Sequence, residues 1–352
     1  MHKLKLVLLL SFSLQFVNAQ FNHEPVLPEL TGNALLQGLV DNYKTQNTFG
    51  LSKARDTLFS AVWGSNDTLR CVYTDFPRYM DPNEDPTQTV FNNGSPDGIN
   101  TEHSYPRSKG AGSGNAESDM HHLFPTRVDV NGIRASHPFR EIPDAQVTSW
   151  YYLDEKLNNI PSANIDAYSE YVSGSFEVRE SFAGNVARAA FYFYTMYKTE
   201  ADAADPDFFE LQRADLCAWH FQDPVDEKEW QVTHKIASYQ DGKVNPFVLD
   251  CSLASRTYCE NISEACALTQ VNDIAVNDLI AIVPNPIASN FKIITADYLQ
   301  VKRMVLLNLK GQVTKHLAVN QAEYQITNLD PGFYFINVHT NQGDFVLKLV
   351  KI

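Results

Sequence analysis

From Leu27 onward, apolar residues recur three and four positions apart. They do so in "LPELTGNALLQGLVDNYKTQ" and again in "LSKARDTLFSAVW", which is the spacing of amphipathic helices. "TLRCVYTDF", from Thr68 to Phe76, alternates and is rich in β-formers, so it predicts a strand. A turn-rich run, "MDPNEDPTQTVFNNGSPDG", separates it from the most polar part of the chain. Further on, "ESFAGNVARAAFYFYTMY" (Glu180 to Tyr197) predicts a long helix, and "DLCAWHFQDPVDEKEWQVTHKIASYQ" predicts helix on both sides of Pro224. After Cys266 the pattern changes. From about Ala275 to Ile352 there are only short alternating runs ("FKIITA", "VKRMVLLNLKG", "YQITNL", "GFYFINVHT", "GDFVLKLVKI") punctuated by turn residues, the signature of a small all-β sandwich.

The expected fold class is therefore α+β: a mainly helical domain over residues 20–270, then a β-sandwich over residues 275–352. A length of 352 residues suits two domains. The first residues, "MHKLKLVLLLSFSLQFVNAQ", carry two Lys, an apolar run from Leu6 to Val17 and a small Ala19, the layout of a signal peptide cleaved after Ala19. That run is shorter than the roughly 20 apolar residues of a membrane span. No other segment reaches that length, so the mature chain is expected to be exported without an integral membrane segment.

Export changes the reading of the five cysteines. In an oxidising compartment Cys217, Cys251, Cys259 and Cys266 are placed for two disulfides, with the pairing left open and one cysteine of the five left over. No CxxC pair supports a zinc site. The net charge of −14 argues against bulk attraction to nucleic acid or anionic membrane, and the tail, with seven Lys/Arg against five Asp/Glu from Ala275 on, does not supply the acidity.

The chemistry concentrates in "NTEHSYPRSKGAGSGNAESDMHHLFPTRVDVNGIR", Asn100 to Arg134. Glu102 and His103 are adjacent, so on an extended strand they point to opposite faces unless a turn or bulge brings them together. Pro125 suits the first position of a helix; from there Arg127, Asn131 and Arg134 would share one polar face. An amide oxygen between two guanidinium groups suits a hard cation beside a phosphate, and Mg²⁺ is content with few protein oxygens. Asp119, His121 and His122 are read equally well as supports of the site or as a cap and tether of the helix entrance. Positive residues between His103 and Arg140 (Arg107, Lys109, Arg127, Arg134, Arg140) outnumber Glu117, Asp119 and Asp129, which predicts a locally basic surface.

"EHSYP", "SDMHHLFP" and "VNGIR", followed downstream by "CAWHFQDPVDEKEWQVTHKIASYQDGKVNPFV", resemble the endonuclease I family of secreted bacterial nucleases, over roughly Leu27 to Asp250. The resemblance implies a ββα-metal core and hydrolysis of DNA and RNA without sequence preference. His103 would then be the general base, Glu102 and Asn131 the ligands of one Mg²⁺ or another divalent cation, and Arg134 a phosphate contact. Asp119, His121, His122 and Arg107 would be supporting residues. Two departures stand out: His122 occupies the family's Asn position, and the family's loop Arg has no clear counterpart, with Arg107 or Lys109 as stand-ins.

The tail's "PNPIASNFKI", "NLKGQV", "LDPGFYFINV" and closing "KLVKI" resemble the C-terminal type A sorting domain of the type IX (Por) secretion system. This implies the secretion machinery as a partner and a secreted or cell-surface location. A zinc protease is disfavoured because no HExxH is present. The remaining alternative is an inactive secreted binding or adhesion protein that keeps the nuclease fold.

Overall fold

The computed structural model describes residues 20–94, 96–260, 280–295, 300–308, 312–319, 321–326, 329–340 and 343–352. The expected signal peptide, residues 1–19, and Cys266 lie outside the described residues. The chain forms two compact units, Met1–Leu268 and Thr269–Ile352. No helix among the described residues is long and apolar enough to cross a membrane.

The first unit begins with helices α1 (Gly32–Tyr43) and α2 (Leu51–Thr57), the latter continued by a π-helical turn, Leu58–Trp63. The predicted strand over 68–76 is only three residues long, β1 (Thr68–Arg70). At Cys71 the chain turns back, with Cys71 N–H donating to Phe76 O and Asp75 in the left-handed region at φ 58°. Asp tolerates that conformation, so the run closes as a turn and returns antiparallel as β2 (Pro77–Tyr79). Helix α3 (Pro86–Phe91) follows, capped by Asp85 with Pro86 behind it.

Next come β3 (Ile99–His103), the short α4 (Gly114–Ser118), β4 (Leu123–Arg127) and α5 (Val128–Arg134). Strands β3 and β4 pair antiparallel in unbroken register, from Ile99 opposite Arg127 to His103 opposite Leu123. The chain at Pro125 is therefore strand, and the helix starts three residues later than the sequence pattern predicts. Pro125 is tolerated because its carbonyl points outward to Val72 N–H, so its missing N–H, on the same side, leaves no ladder bond unmade. The loop between the strands passes so close to the following helical layer that a Cβ on Gly110 (φ +121°) would meet the backbone of Ala201 at 2.8 Å.

A four-stranded antiparallel sheet follows that the sequence pattern did not reveal. It comprises β5 (Ser149–Tyr152), β6 (Glu155–Leu157), β7 (Ser169–Val172) and β8 (Ser175–Glu177), ordered β6-β5-β7-β8. The rest of the unit is helical: α6 (Glu180–Met196), α7 (Lys198–Ala204), α8 (Phe208–Gln222), α9 (Glu227–Ala237), α10 (Pro246–Leu249) and α11 (Ser252–Thr257). Helix α6 is apolar on nearly every side and buried on nearly every side, the central rod of the core. Its one buried cation, Arg188, is matched by Glu229 of α9 through Nε at 2.8 Å and Nη2 at 2.6 Å.

The second unit is all β, as expected. Strands β9 (Ile280–Val283), β10 (Asn290–Thr295) and β13 (Tyr324–Gln325) form one sheet. Strands β11 (Val301–Leu307), β12 (Val313–Leu317), β14 (Gly332–Thr340) and β15 (Gly343–Lys351) form the other. Phe291 and Tyr324 of the first sheet share one core with Leu306, Ile336, Val338 and Leu349 of the second, which makes it a sandwich.

Cys217 in α8 is bonded to Cys259 across 42 residues of chain, Cys251 is also disulfide-bonded, and Cys71 is a buried free thiol. The cross-link mainly restricts the unfolded chain. Replacing Cys217 and Cys259 together by Ala is expected to lower the unfolding free energy by about 2–4 kcal/mol, read from urea melts.

Candidate active site

Strands β3 and β4 with helix α5 carry every residue the sequence singled out as catalytic or metal-binding. Glu102 is 2% exposed and is held from one side only: Tyr73 Oη–H donates to its Oε1 at 3.0 Å and Arg134 Nη1 at 2.8 Å. Oε2 has no protein donor among the described residues. Burial raises the Glu102 carboxyl above the usual range, while Arg134 and Tyr73 pull it down.

His103 is the last residue of β3 and 8% exposed. Its Nε2 lies 2.9 Å from the main-chain carbonyl of Glu117, on the far side of the glycine-rich loop. A carbonyl only accepts, so Nε2 carries the proton and Nδ1 carries the lone pair. Burial, then His122, lowers its pKa to about 3, so the ring is neutral at physiological pH. No bulge interrupts β3, so Glu102 and His103 point to opposite faces of the ribbon.

Asn131 sits on α5 with its amide nitrogen donating to Asn100 Oδ1 at 2.8 Å and Thr101 O at 3.1 Å. Those two acceptors orient the side chain and leave its oxygen without a protein donor among the described residues. Glu102 Oε2 and Asn131 Oδ1 are hard oxygens without protein donors among the described residues, a donor set that fits a small divalent cation.

Arg134, expected at a phosphate, is instead 0% exposed. Besides Glu102, it donates through Nη1 to His103 O at 2.9 Å and through Nη2 to Ser104 O at 2.6 Å, and its guanidinium lies 4.3 Å from the Phe139 ring centre. It is a positioning residue beneath the strand. Arg127 leaves the predicted polar face as well: it is the last residue of β4, bonded to Asp129 and to Leu153 O.

Asp119 is wholly buried and accepts four hydrogen bonds, from His121 N–H, Gln240 Nε2, Tyr192 Oη and Tyr197 Oη. His121 bonds Lys243 O through Nε2 at 2.8 Å. These two therefore tether the loop to the helical core. His122 bonds Ala116 O at 2.7 Å and stands between the rings of His103 (5.6 Å) and Phe193 (4.7 Å), walling the base rather than facing a ligand.

The locally basic surface predicted by counting residues is largely neutralised in space. Arg107 pairs with Glu117, Lys109 with Asp205, Arg127 with Asp129, Arg134 with Glu102, and Arg140 with Asp215. Three of those partners lie outside the segment that was counted or were not counted as charge within it. Arg107, 60% exposed and close enough to His103 to depress its pKa, is the cation best placed to meet a ligand there. Tyr73, Asn100 and Glu117 were missed by the sequence reading. Tyr73 looked like an ordinary strand residue, Asn100 works only as an acceptor, and Glu117 acts on His103 through its main chain, which leaves no mark on residue type.

Residues 32–251 match the family Endonuclease I, more than half of the chain, and the chain belongs to that family. Residues 281–352 match the secretion system C-terminal sorting domain, which marks the chain for type IX secretion and makes it a secreted protein. Among curated proteins it is similar to the extracellular ribonuclease of Bacillus subtilis, 28% identical over 173 residues, 45% of this chain and 53% of that protein. It is also similar to the extracellular ribonuclease of Bacillus amyloliquefaciens, 29% identical over 174 residues, with the same coverage of 45% and 53%. The chain thus spans about half the length of these curated relatives.

His122 supplies a test of the wall around the base. Burial lowers its pKa to about 4, whereas the unfolded chain titrates near the ordinary 6.5. Between those values the unfolded state binds the extra proton, so stability is lost as pH falls from 6.5 towards 4. In His122→Asn that loss is absent, and the stability difference between variant and wild type is expected to shift by about 3 kcal/mol in the variant's favour between pH 7 and pH 4, measured by denaturant titration at each pH.

Proposed function

We propose that the protein is a secreted, metal-dependent endonuclease that hydrolyses phosphodiester bonds of DNA and RNA with little sequence preference. The nuclease domain is placed at residues 20–270 and the sorting domain at 275–352, with the type IX machinery as partner of the latter. The observation that carries the reading is the bond from His103 Nε2–H to Glu117 O. It fixes Nδ1 as an unprotonated base at the end of the strand whose preceding residue, Glu102, keeps a carboxylate oxygen without a protein donor.

Glu102 and Asn131 would hold one Mg²⁺ ion, or a similar hard cation. Bound there, such an ion lowers the pKa of a water and neutralises charge on the attacked phosphate. His103 Nδ1 takes the proton from the attacking water, and its neutral state means that no prior deprotonation is needed. Arg134 and Tyr73 both hold Glu102 through Oε1, which leaves Oε2 free for an ion, and Arg134 also pins the backbone at His103 and Ser104. Arg107, released from Glu117, meets the phosphate. Family membership supports nucleic acid as substrate, and similarity to the extracellular ribonucleases of Bacillus supports including RNA.

Plasmid DNA and a structureless RNA are the substrates for the test. Wild type is expected to cleave both with Mg²⁺ and neither with EDTA, and His103→Ala to lose about 10²–10⁴-fold in rate with its fold intact. A folded wild type that binds Mg²⁺ and cuts neither substrate would instead support the inactive binding or adhesion protein. Arg107→Ala is expected to slow cleavage while leaving the melting temperature unchanged, because its pair with Glu117 is exposed.

A further inference from the structure

Away from the active-site pair, the start of α6 meets the sheet β6-β5-β7-β8 at a group of carboxylates with no counter-charge. Glu141, Glu177 and Glu180 bring ligand oxygens within 4.8 Å of one another. Glu170 lies directly opposite Glu177 on the neighbouring strand, so the two side chains share one face of the sheet. Like charges so placed repel. Yet Glu170 is 6% exposed and Glu177 5%, and no Lys or Arg forms an ion pair with any of the four among the described residues.

The other contacts do not compensate. Glu177 Oε2 accepts from Ile142 N–H, and Glu141 Oε2 accepts from Trp219 Nε1 at 2.9 Å. Glu170 Oε2 is buried with no partner at all, on the face that carries Glu177. A buried carboxylate oxygen without a donor, among three more carboxylates, is a ligand without its ion.

We propose that Glu141, Glu177 and Glu180, backed by the buried Glu170, form a second cation site, filled by Ca²⁺, separate from the Glu102–Asn131 pair. The donors are all carboxylate oxygens, which excludes soft metals. Ligand oxygens that all lie within 4.8 Å of one another can converge on one cation, and Ca²⁺ accepts the irregular geometry of a strand, a loop and a helix start where Mg²⁺ does not. Glu141 and Glu180 are exposed and give the ion its way in, while Glu170 and Glu177 form the floor. Without an ion, burial and the neighbouring carboxylates push Glu177 up to about 9, Glu170 to about 8 and Glu180 to about 7. Secretion delivers the protein to surroundings where extracellular modules bind Ca²⁺ at about 10⁻⁴–10⁻³ M. The site braces the active centre, since Ser169, next to Glu170, donates its hydroxyl to Tyr73 O at 2.7 Å.

The experiment uses the full chain at pH 8, as wild type, Asn131→Ala and the double variant Glu170→Gln/Glu177→Gln. Thermal melts are taken in EDTA and against CaCl₂, and Tb³⁺ is the luminescent probe, sensitised by Trp219 through its neighbour Glu141. Wild type and Asn131→Ala are expected to show Tb³⁺ emission displaced by Ca²⁺. Both should also show a rise in melting temperature of several degrees, half-maximal at about 10⁻⁴–10⁻³ M Ca²⁺. Combined with Asn131→Ala, which removes the other candidate cation site, the double variant should lose both responses while melting no lower than Asn131→Ala in EDTA. Should it fail to fold, Glu141→Gln/Glu180→Gln at the exposed rim is expected to weaken Ca²⁺ at least tenfold. The proposal is overturned if Ca²⁺ leaves the wild-type melt unmoved, if the rise persists in carboxylate variants that also carry Asn131→Ala, or if Asn131→Ala alone abolishes it. A wild type indifferent to Ca²⁺ but stabilised as pH falls from 8 to 5 would show four carboxyls sharing protons instead.

Discussion

The centre of the nuclease unit depends on one buried ion pair, Arg134 with Glu102. The guanidinium is entirely out of water, and so is nearly all of the carboxylate. Such a pair adds little net stability, because both ions lose their hydration. Its value is positional. One planar fork reaches the Glu102 side chain and the carbonyls of His103 and Ser104, so the Glu102 carboxylate and the backbone that carries His103 are fixed by the same group. Removing either partner would leave the other charged and buried, and the end of β3 would have to rearrange.

The second constraint is electrostatic. An acidic protein that acts on a polyanion needs local positive charge, yet the cations around the site are already matched by carboxylates. Under the proposed mechanism, what attraction remains would come from a bound cation and from Arg107, whose pairing at the surface is weak enough to exchange. Such contacts read the phosphate backbone and not the bases.

Much of this was legible in the sequence. The helical periodicity of α1, α6, α8 and α9 survives into the structure because each buries one face or, in α6, nearly all of its surface. The change to short alternating runs after Cys266 likewise marks the sandwich. Errors arose where long-range contacts overrule local preference. Pro125 signals a helix start in isolation, but the pairing of β4 with β3 leaves its missing N–H harmless and carries the strand past it. Arg134 carries the charge of a phosphate ligand, but its place on α5 turns it inward beneath β3. The strands β5 to β8 went unread because each has only three or four residues, too few for a period to show.

The bond that sets the tautomer of His103 ends on a main-chain carbonyl. The protonation pattern of the base is thus encoded in the path of the loop and not in any side chain along it. Point substitutions in the loop that preserve its course leave the base unchanged, including those at Glu117 itself. A single insertion or deletion between Gly110 and Asp119 shifts the carbonyl away and frees the ring to take the other tautomer. Such a loop can vary in residue type far more freely than in length.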